Sequence, residues 1–137
     1  MPDRVSSIER KLFNEEFVPV EFDVINDFYL NEAGTAIAYN STACGITPLL
    51  EFKQDDVFRY TASIRQHNST YAIFDIFGRR LSAFNGPKTE DFSKYVYENE
   101  IVQCSSLVEA FPLARYIRFG CLEKYKQDPL SLKVEKL

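Results

Sequence analysis

The sequence predicts an α+β fold in which a mostly antiparallel sheet of about five to six strands packs against an N-terminal helix and C-terminal helices. Two observations predict it. Apolar residues at helical spacing are confined to the two ends of the chain, and alternating segments separated by turn residues fill the middle. Parallel strand–helix–strand units are missing from this order. Because 137 residues suit one domain of ordinary size, we place a single domain at 1–137.

The N-terminal helix is predicted over residues 4–17. Ser6 and Glu9 have the spacing of a capping box, in which each side chain satisfies the other residue's backbone donor. Pro19 cannot continue a helix and therefore ends it. The apolar face of this helix carries Val5, Ile8, Leu12 and Phe13.

The first strands are predicted over 20–30, 35–40 and 47–53, with a turn at 31–34. Along 20–30, apolar side chains alternate with Glu21, Asp23 and Asp27, so the strand has one acidic face. We expect this face either to be solvated or to meet a basic patch on a second copy of the chain in a head-to-tail contact.

The clearest strands are predicted over 57–66, 70–77 and 80–85, as a meander. A three-residue turn at 67–69 and a two-residue turn at 78–79 fix the register, with Gly78 supplying the positive φ of the second turn. The predicted facing pairs are Ile64–Ala72, Ala62–Phe74, Tyr60–Ile76, Ile76–Leu81 and Phe74–Ala83. This face is apolar, so we expect it to pack on a helix.

The opposite face of the meander carries arginines interleaved with aromatic rings. Arginine binds carboxylates as a fork and also stacks on rings, and both residue types are enriched in the centres of protein interfaces. We predict that this face binds a partner through Arg59, Arg65, Tyr71, Phe77, Arg80 and Phe84. The alternatives for this face are a covering helix, a second copy of the chain, a foreign protein and a nucleic acid.

The last third of the sequence is predicted to be mainly helical. One helix begins at Thr89, with Phe92, Tyr95 and Val96 on its apolar face, and a short strand follows at 101–104. A final helix is predicted over 106–126, which Pro112 either starts or kinks. Its buried side carries Leu113, Ile117 and Cys121. The tail at 128–137 is an edge strand or disordered.

The cysteines and the termini predict a cytoplasmic protein. The opening MPDRVSSIERK has no apolar signal segment, and no run approaches the roughly 18 apolar residues of a membrane span. Cys44, Cys104 and Cys121 are widely spaced and odd in number, which indicates reduced thiols. No C-x-x-C pair occurs and there is one histidine, so no metal site is predicted.

The charge distribution bears on the class of partner. The net charge of −4 disfavours general nucleic-acid binding, which leaves a basic footprint. Residues 1–57 hold 11 acidic and 4 basic side chains, whereas residues 58–137 hold 9 acidic and 12 basic ones. This asymmetry leaves room for a local basic surface in the second part of the chain.

One enzyme reading rests on Glu51 and Lys53 at the end of an apolar strand. This E-x-K pattern resembles half of the motif of the PD-(D/E)xK nucleases. The resemblance implies a magnesium site in which Glu51 and a second carboxylate hold the cation and Lys53 steadies the attacking water or the phosphate. Asp27 is the candidate second carboxylate. The sequence departs from the family in two ways, because no P-D dipeptide precedes and strands follow where the family places a helix.

Other chemistries have less support in the sequence. A cysteine hydrolase would need His67 as the base for one of the three cysteines, and no family signature surrounds them. The serine-hydrolase, P-loop, dinucleotide and H-E-x-x-H motifs are all missing, so no cofactor is predicted. An apolar ligand pocket is a further alternative, since 15% of the residues are aromatic and could line one.

These observations favour a non-catalytic binding protein, of the inhibitor, adaptor or immunity type. We expect a protein partner or self-association, including a homodimer. The two alternatives are a domain that binds a small apolar ligand and a magnesium-dependent nuclease that uses Asp27, Glu51 and Lys53.

Overall fold

The computed structural model describes residues 17–39, 44–64, 68–85, 95–122 and 132–137. In these ranges the chain forms twelve strands and one helix, α1 (Cys104–Ala110). The strands are β1 (Val18–Pro19), β2 (Ile25–Asn26), β3 (Phe28–Leu30), β4 (Ala36–Ala38), β5 (Cys44–Ile46), β6 (Leu50–Glu51), β7 (Val57–Ile64), β8 (Ser69–Phe74), β9 (Arg80–Asn85), β10 (Tyr95–Gln103), β11 (Tyr116–Leu122) and β12 (Lys133–Lys136). No helix in the described ranges is long and apolar enough to cross a bilayer.

The described chain is mostly β, so the predicted α+β class is wrong. The largest error is the helix predicted over 106–126, where α1 stops before Pro112 and β11 follows. Proline has no backbone N–H to continue a helix, and the chain turns there. Leu113, Ile117 and Cys121 misled the prediction because a spacing of four residues fits a strand face as well as a helix face. In β11, Ile117, Phe119 and Cys121 are buried on one face.

The other predicted helices fare differently. The helix predicted from Thr89 is wrong in its described part, because Tyr95 and Val96 open strand β10. The start of that helix, and all of the predicted helix at 4–17 except Phe17, lie outside the described residues. The predicted strand at 101–104 is the end of the longer β10, and Cys104 already belongs to α1. The described part of the tail forms β12, which is an interior strand rather than an edge.

The strands form two main sheets, and every pairing among the described strands is antiparallel. The four-stranded sheet has the order β1-β12-β7-β10. The six-stranded sheet has the order β2-β5-β11-β8-β9, with β6 also paired to β11. Strands β3 and β4 form a separate hairpin. The antiparallel prediction is confirmed, although the strands are more numerous and shorter than expected.

The predicted hairpin between 57–66 and 70–77 does not form. β7 pairs with β10 and β12 in one sheet, whereas β8 pairs with β9 and β11 in the other. The predicted partners of Tyr60, Ala62 and Ile64 across that turn are therefore wrong. The two strands instead face each other across the core, where the rings of Tyr60 and Tyr71 lie 5.7 Å apart. Alternation in 57–66 and β-forming residues in 70–77 predict both strands, although the second ends at Phe74. Neither signal contains information about which sheet a strand joins.

The second predicted turn does connect β8 to β9, but with a different length. Phe74 faces Arg80 and Ala72 faces Ala83, so the loop has five residues, 75–79, rather than two. The predicted pairs of Phe74 with Ala83 and of Ile76 with Leu81 are therefore wrong. Gly78 does have a positive φ of 79°, as predicted.

The hydrophobic core lies between the two sheets. Phe119 of β11 is fully buried, and its ring centroid lies 5.7 Å from that of Phe58, 5.1 Å from that of Tyr60 and 5.8 Å from that of Tyr71. Burying a side chain of this size stabilises a fold by about 1.5–3 kcal/mol. Helix α1 closes one side of this core with Cys104 and Leu107.

The far face of the six-stranded sheet is covered by the β3–β4 hairpin. Leu30 packs so closely on Gly120 that a Cβ there would lie 2.7 Å from Leu30 Cγ. Gly34, in the turn of the hairpin, approaches Ala72 and Ala83 equally closely. The Ser69 hydroxyl donates a hydrogen bond to the backbone oxygen of Asn31 at 2.7 Å. Both faces of β8 and β11 are thus buried over much of their length.

Candidate interaction surface

The six residues predicted to bind a partner do not share one face. The predicted face required β7 and β8 to be neighbours in one sheet, and they belong to opposite sheets. Arg65 lies outside the described residues. The five others fall at three places: Arg59 on the four-stranded sheet, Tyr71 and Phe84 beside the core, and Phe77 and Arg80 around the turn between β8 and β9.

Arg59 already has partners within the chain. Its Nε and Nη2 donate to the two carboxylate oxygens of Glu135 at 3.0 and 2.9 Å, and its guanidinium lies 4.4 Å from the ring centroid of Phe17. Hydrogen bonding from Arg59 outweighs burial and holds the pKa of Glu135 below its ordinary value. This forked ion pair supports the four-stranded sheet.

Tyr71 and Phe84 line one wall of a groove instead of lying on an open sheet face. Their rings stack with centroids 4.2 Å apart, and burial raises the pKa of the Tyr71 phenol. The groove has a volume of about 600 Å³ and lies between β8, β9, β10 and α1. Its apolar walls include Leu107 and Phe111, and its polar groups come from Ser82, Gln103 and Ser106.

The turn at 75–79 exposes large apolar side chains. Phe77 is 78% exposed, Ile76 58% and Leu113, from the neighbouring loop, 68%. Together with Pro112 and Arg115 these residues line a cleft of about 110 Å³. We call the set of Ile76, Phe77, Arg79, Leu113 and Arg115 the hairpin-tip surface. Contiguous apolar exposure of this kind commonly marks an interaction site.

A dense set of hydrogen bonds fixes the backbone of this turn. The Asp75 carboxylate accepts the backbone N–H groups of Phe77 and Arg79 and the Nε–H of Arg79, each at 2.9 Å. Gly78 N–H donates to the Asp75 backbone oxygen at 3.0 Å. Burial of the Asp75 carboxylate acts to raise its pKa, but the hydrogen bonds from Arg79 and Phe77 outweigh burial and hold that pKa below its ordinary value. These hydrogen bonds therefore hold the backbone that carries Phe77 in one conformation.

Four arginines lie in or beside the hairpin-tip surface. The Arg79 guanidinium pairs with Asp75 and lies 5.2 Å from the ring centroid of Phe77. Arg80 and Arg115 are exposed, and Arg118 is half-buried. Arg115 and Arg118 come from the far end of the chain, and the pairing of β11 with β8 brings them here. Aromatic and arginine side chains together are typical of the energetically dominant residues of protein interfaces.

Of the hairpin-tip surface, the sequence predicts only Phe77 as a binding residue; Arg80, also predicted, lies beside this surface. Ile76 was assigned to the apolar inner face, and Leu113 to the buried side of a helix. The available signal was the spacing of Asp75 and Gly78, which is that of a five-residue turn and matches Asn31 and Gly34.

The residues of the nuclease reading lie apart. Asn26, the neighbour of Asp27, pairs with Gly45, and Gly45 in turn pairs with Cys121 of β11. Glu51 pairs with Tyr116 of the same strand. These positions are five residues apart along β11, which corresponds to about 17 Å. Two carboxylates at that separation cannot hold one cation. Among the described residues, no group of three or more His, Cys, Asp and Glu could hold a metal ion.

The three cysteines are buried and free of disulfides. Burial, with the nearby charge of Asp56, raises the pKa of Cys104 to about 12, and burial together with Asp27 also raises the pKa of Cys44. Since the thiolate is the nucleophile, these shifts oppose nucleophilic chemistry at both residues. His67 lies outside the described residues.

No protein-family model matches the chain, and neither does any curated protein or solved structure. The case for a function therefore depends on the geometry of the chain itself.

Proposed function

We propose that this protein is a non-catalytic binding protein that contacts a protein partner through the hairpin-tip surface. The observation that carries the proposal is the 78% exposure of Phe77 on a turn that its own hydrogen bonds fix. An exposed phenylalanine gains free energy by entering an apolar pocket of a partner. Inhibitors, adaptors and immunity-type proteins work in this way.

The fixed turn favours binding for a second reason. Association costs conformational entropy when flexible side chains and loops become ordered at an interface. The backbone at 75–79 is already ordered, and the Phe77 ring is flanked by the Arg79 guanidinium. The penalty for ordering this loop on binding is accordingly small.

Affinity capture with matched variants tests the proposal. Partners are captured from a lysate of the source cells with the wild type, with Phe77→Ala and with Val18→Ala, and are identified by mass spectrometry. Val18 is the control because it is 64% exposed and lies on β1 in the other sheet. We expect the same partner with the wild type and Val18→Ala, and affinity for the purified partner at least about 10-fold lower for Phe77→Ala, a loss of about 1.4 kcal/mol. Equal affinity for all three would refute the proposed surface.

Self-association through the same surface is a distinct outcome. The mass of one chain is 15.9 kDa, so light scattering across a range of concentrations separates a monomer from a dimer. A dimer that Phe77→Ala dissociates would identify the partner as a second copy. A dimer that persists in Phe77→Ala would place the self-association elsewhere on the chain.

The groove favours a second candidate function, the binding of a small apolar ligand. Its volume of about 600 Å³ lies in the range of small-molecule sites. Ala110→Trp would fill the groove, and Ala38→Trp is the matched control at an exposed alanine of β4. We expect the fluorescence of the neutral dye Nile red to rise with the wild type and Ala38→Trp, and not with Ala110→Trp. Equal fluorescence for both variants would exclude the groove as the site.

A further inference from the structure

A second cationic feature adjoins the hairpin-tip surface on the six-stranded sheet. Phe74 lies at the end of β8, with Arg80 directly opposite on β9. Arg118 faces Ala72, which is two residues from Phe74 and therefore on the same side of the sheet. We call Phe74, Arg80 and Arg118 the arginine platform. The β3–β4 hairpin covers the rest of this side and also contacts the edge of the platform. Leu30 sits over Gly120, and a Cβ at Gly34 would lie 2.9 Å from Ala72 Cβ and 3.3 Å from Arg80 Cδ.

Arg118 is held in one position and partly removed from water. Its Nε donates to the backbone oxygen of Thr47 at 2.8 Å, and its guanidinium lies 5.9 Å from the ring centroid of Phe74. Thr47 is itself buried, and its hydroxyl accepts the backbone N–H of Phe119 at 3.1 Å. Burial lowers the pKa of the Arg118 guanidinium. The side chain is therefore preorganised, and within the described ranges its terminal nitrogens, Nη1 and Nη2, make no hydrogen bond.

Arg118 differs from two other arginines, Arg59 and Arg79, which each have a carboxylate partner. Arg59 has a forked ion pair with Glu135, and Arg79 pairs with Asp75 although its side chain is 72% exposed. In the described part of the chain, no carboxylate lies within ion-pair distance of Arg118. A guanidinium that is partly desolvated and has no counter-charge is in an unfavourable state, which an incoming carboxylate would relieve.

We propose that Arg118, assisted by Arg80, binds a carboxylate of an acidic side chain on the protein partner. The platform borders the turn that presents Phe77, so the same partner would contact both. Only the assignment of the carboxylate to a protein rests on the proposed function; the anion site itself does not. The partner then combines an apolar pocket for Phe77 with an aspartate or glutamate beside it. Arginine is suited to this role because its planar fork matches the two oxygens of a carboxylate.

The local charges agree with an acidic partner. Arg79, Arg80, Arg115 and Arg118 lie at this end of the sheet. Among the described residues, the carboxylates here are Asp75, which Arg79 already engages, Glu51, opposite Tyr116, and Glu32, in the turn that packs against Arg80. A phosphate would satisfy the same arginines. An acidic protein is favoured over a nucleic acid by Ile76, Phe77 and Leu113, the exposed apolar side chains of the neighbouring hairpin-tip surface, since an apolar pocket of a protein can bury them.

Titration with a simple anion tests the site without any partner. The Nε–Hε signals of the arginines are followed by NMR on the full chain while sodium acetate is added, with sodium chloride as the control for ionic strength. We expect a saturable shift of the Arg118 signal in acetate, with a dissociation constant on the order of 10 mM. The signals of Arg59 and Arg79, which already have carboxylate partners, should stay in place. Identical, non-saturating shifts of Arg118 in acetate and chloride would overturn the proposal.

Two variants separate this inference from the proposed function. Arg118→Lys keeps the charge but loses the fork, so we expect at least about fivefold weaker acetate binding, read on the amide signals around Thr47. Phe77→Ala should leave the acetate titration unchanged while it weakens the partner. If Phe77→Ala keeps full partner affinity but Arg118 still titrates, the proposed function fails and the anion site stands.

The source of the anion is decided by two further probes. Sodium phosphate and a single-stranded oligothymidine are added to the wild type under the same conditions. Comparable affinity for phosphate and acetate, with no effect of the oligonucleotide, agrees with a carboxylate from a protein. More than about 10-fold tighter binding of phosphate, together with shifts of Arg80 and Arg118 by the oligonucleotide, would overturn the acidic-protein partner in favour of a nucleic acid.

Discussion

Two turns of this protein have the same backbone and opposite surroundings. The turns span residues 31–35 and 75–79. In each, the N–H of the first residue donates a hydrogen bond to the backbone oxygen of the fifth, and the N–H of the fourth donates to the backbone oxygen of the first. In both turns a side-chain oxygen of the first residue, Asn31 or Asp75, accepts the N–H of the fifth. The fourth residues, Gly34 and Gly78, have φ values of 80° and 79°.

The difference between the turns lies in what surrounds them and in what they expose. The turn at 31–35 is docked on the six-stranded sheet and carries Glu32 and Ala33 at its middle positions, whereas the turn at 75–79 projects and carries Ile76 and Phe77. Since the turn at 31–35 forms with Glu and Ala, this turn geometry does not require large apolar side chains at those two positions. The exposed Ile76–Phe77 pair is therefore better explained by binding than by folding.

The largest difference in stability should come from the two glycines. Alanine at either position must adopt a positive φ, but only at Gly34 would its Cβ also lie 2.7 Å from Ala83 and 2.9 Å from Ala72. We expect Gly34→Ala to lower the free energy of unfolding by about 3 kcal/mol, from backbone strain and overpacking together. Urea denaturation measures the loss. A loss no larger than that of Gly78→Ala would show that the docked turn can move away from the sheet.

A smaller loss is expected at the projecting turn. The nearest atom to a Cβ at Gly78 would be Leu49 Cδ1 at 4.0 Å, which is ordinary contact. Gly78→Ala should therefore cost only the backbone strain, about 1 kcal/mol. Gly78→Asn is the control in the same urea experiment, because asparagine tolerates this conformation better than alanine does. If Gly78→Ala and Gly78→Asn lost the same free energy, backbone strain would not be the cause.

The fold shows where sequence reasoning succeeds and where it stops. Local signals locate three strands: alternation predicts 57–66, the β-forming residues predict 70–77, and the turn before it predicts 80–85. Their assignment to sheets failed because Tyr60 and Tyr71 alternate in the same way whether they pair within a sheet or face each other across a core. The same distinction between local pattern and sheet pairing holds for the residues of the candidate site. Phe77 is accessible to local reasoning, whereas Leu113 and Arg115, just before β11, join the site only because β11 pairs with β8.

Acid should loosen the projecting turn and leave the docked turn unchanged. The projecting turn begins with the carboxylate of Asp75, whereas the docked turn begins with the amide of Asn31. The pKa of Asp75 is lowered, so its contribution is complete above its ordinary pKa of 3.8 and is lost as the pH falls through the lower value of the folded state. Hydrogen exchange at the Arg79 and Thr35 amides, whose N–H groups bond Asp75 and Asn31, follows the two turns separately. We expect faster exchange at Arg79 alone on acidification, after correction for the intrinsic pH dependence. In Asp75→Asn this response should disappear, and its persistence would show that another group titrates.

The smallest effect on stability should come from exchanging the middle residues of the projecting turn. The double variant Ile76→Glu and Phe77→Ala gives it the same pair that the docked turn carries at Glu32 and Ala33. Both replaced side chains are mostly exposed, so we expect the free energy of unfolding to change by no more than about 0.5 kcal/mol. Binding of the captured partner should nevertheless be abolished. A loss of stability well above that limit would mean that Ile76 and Phe77 support the fold, and the contrast between the two turns would no longer point to function.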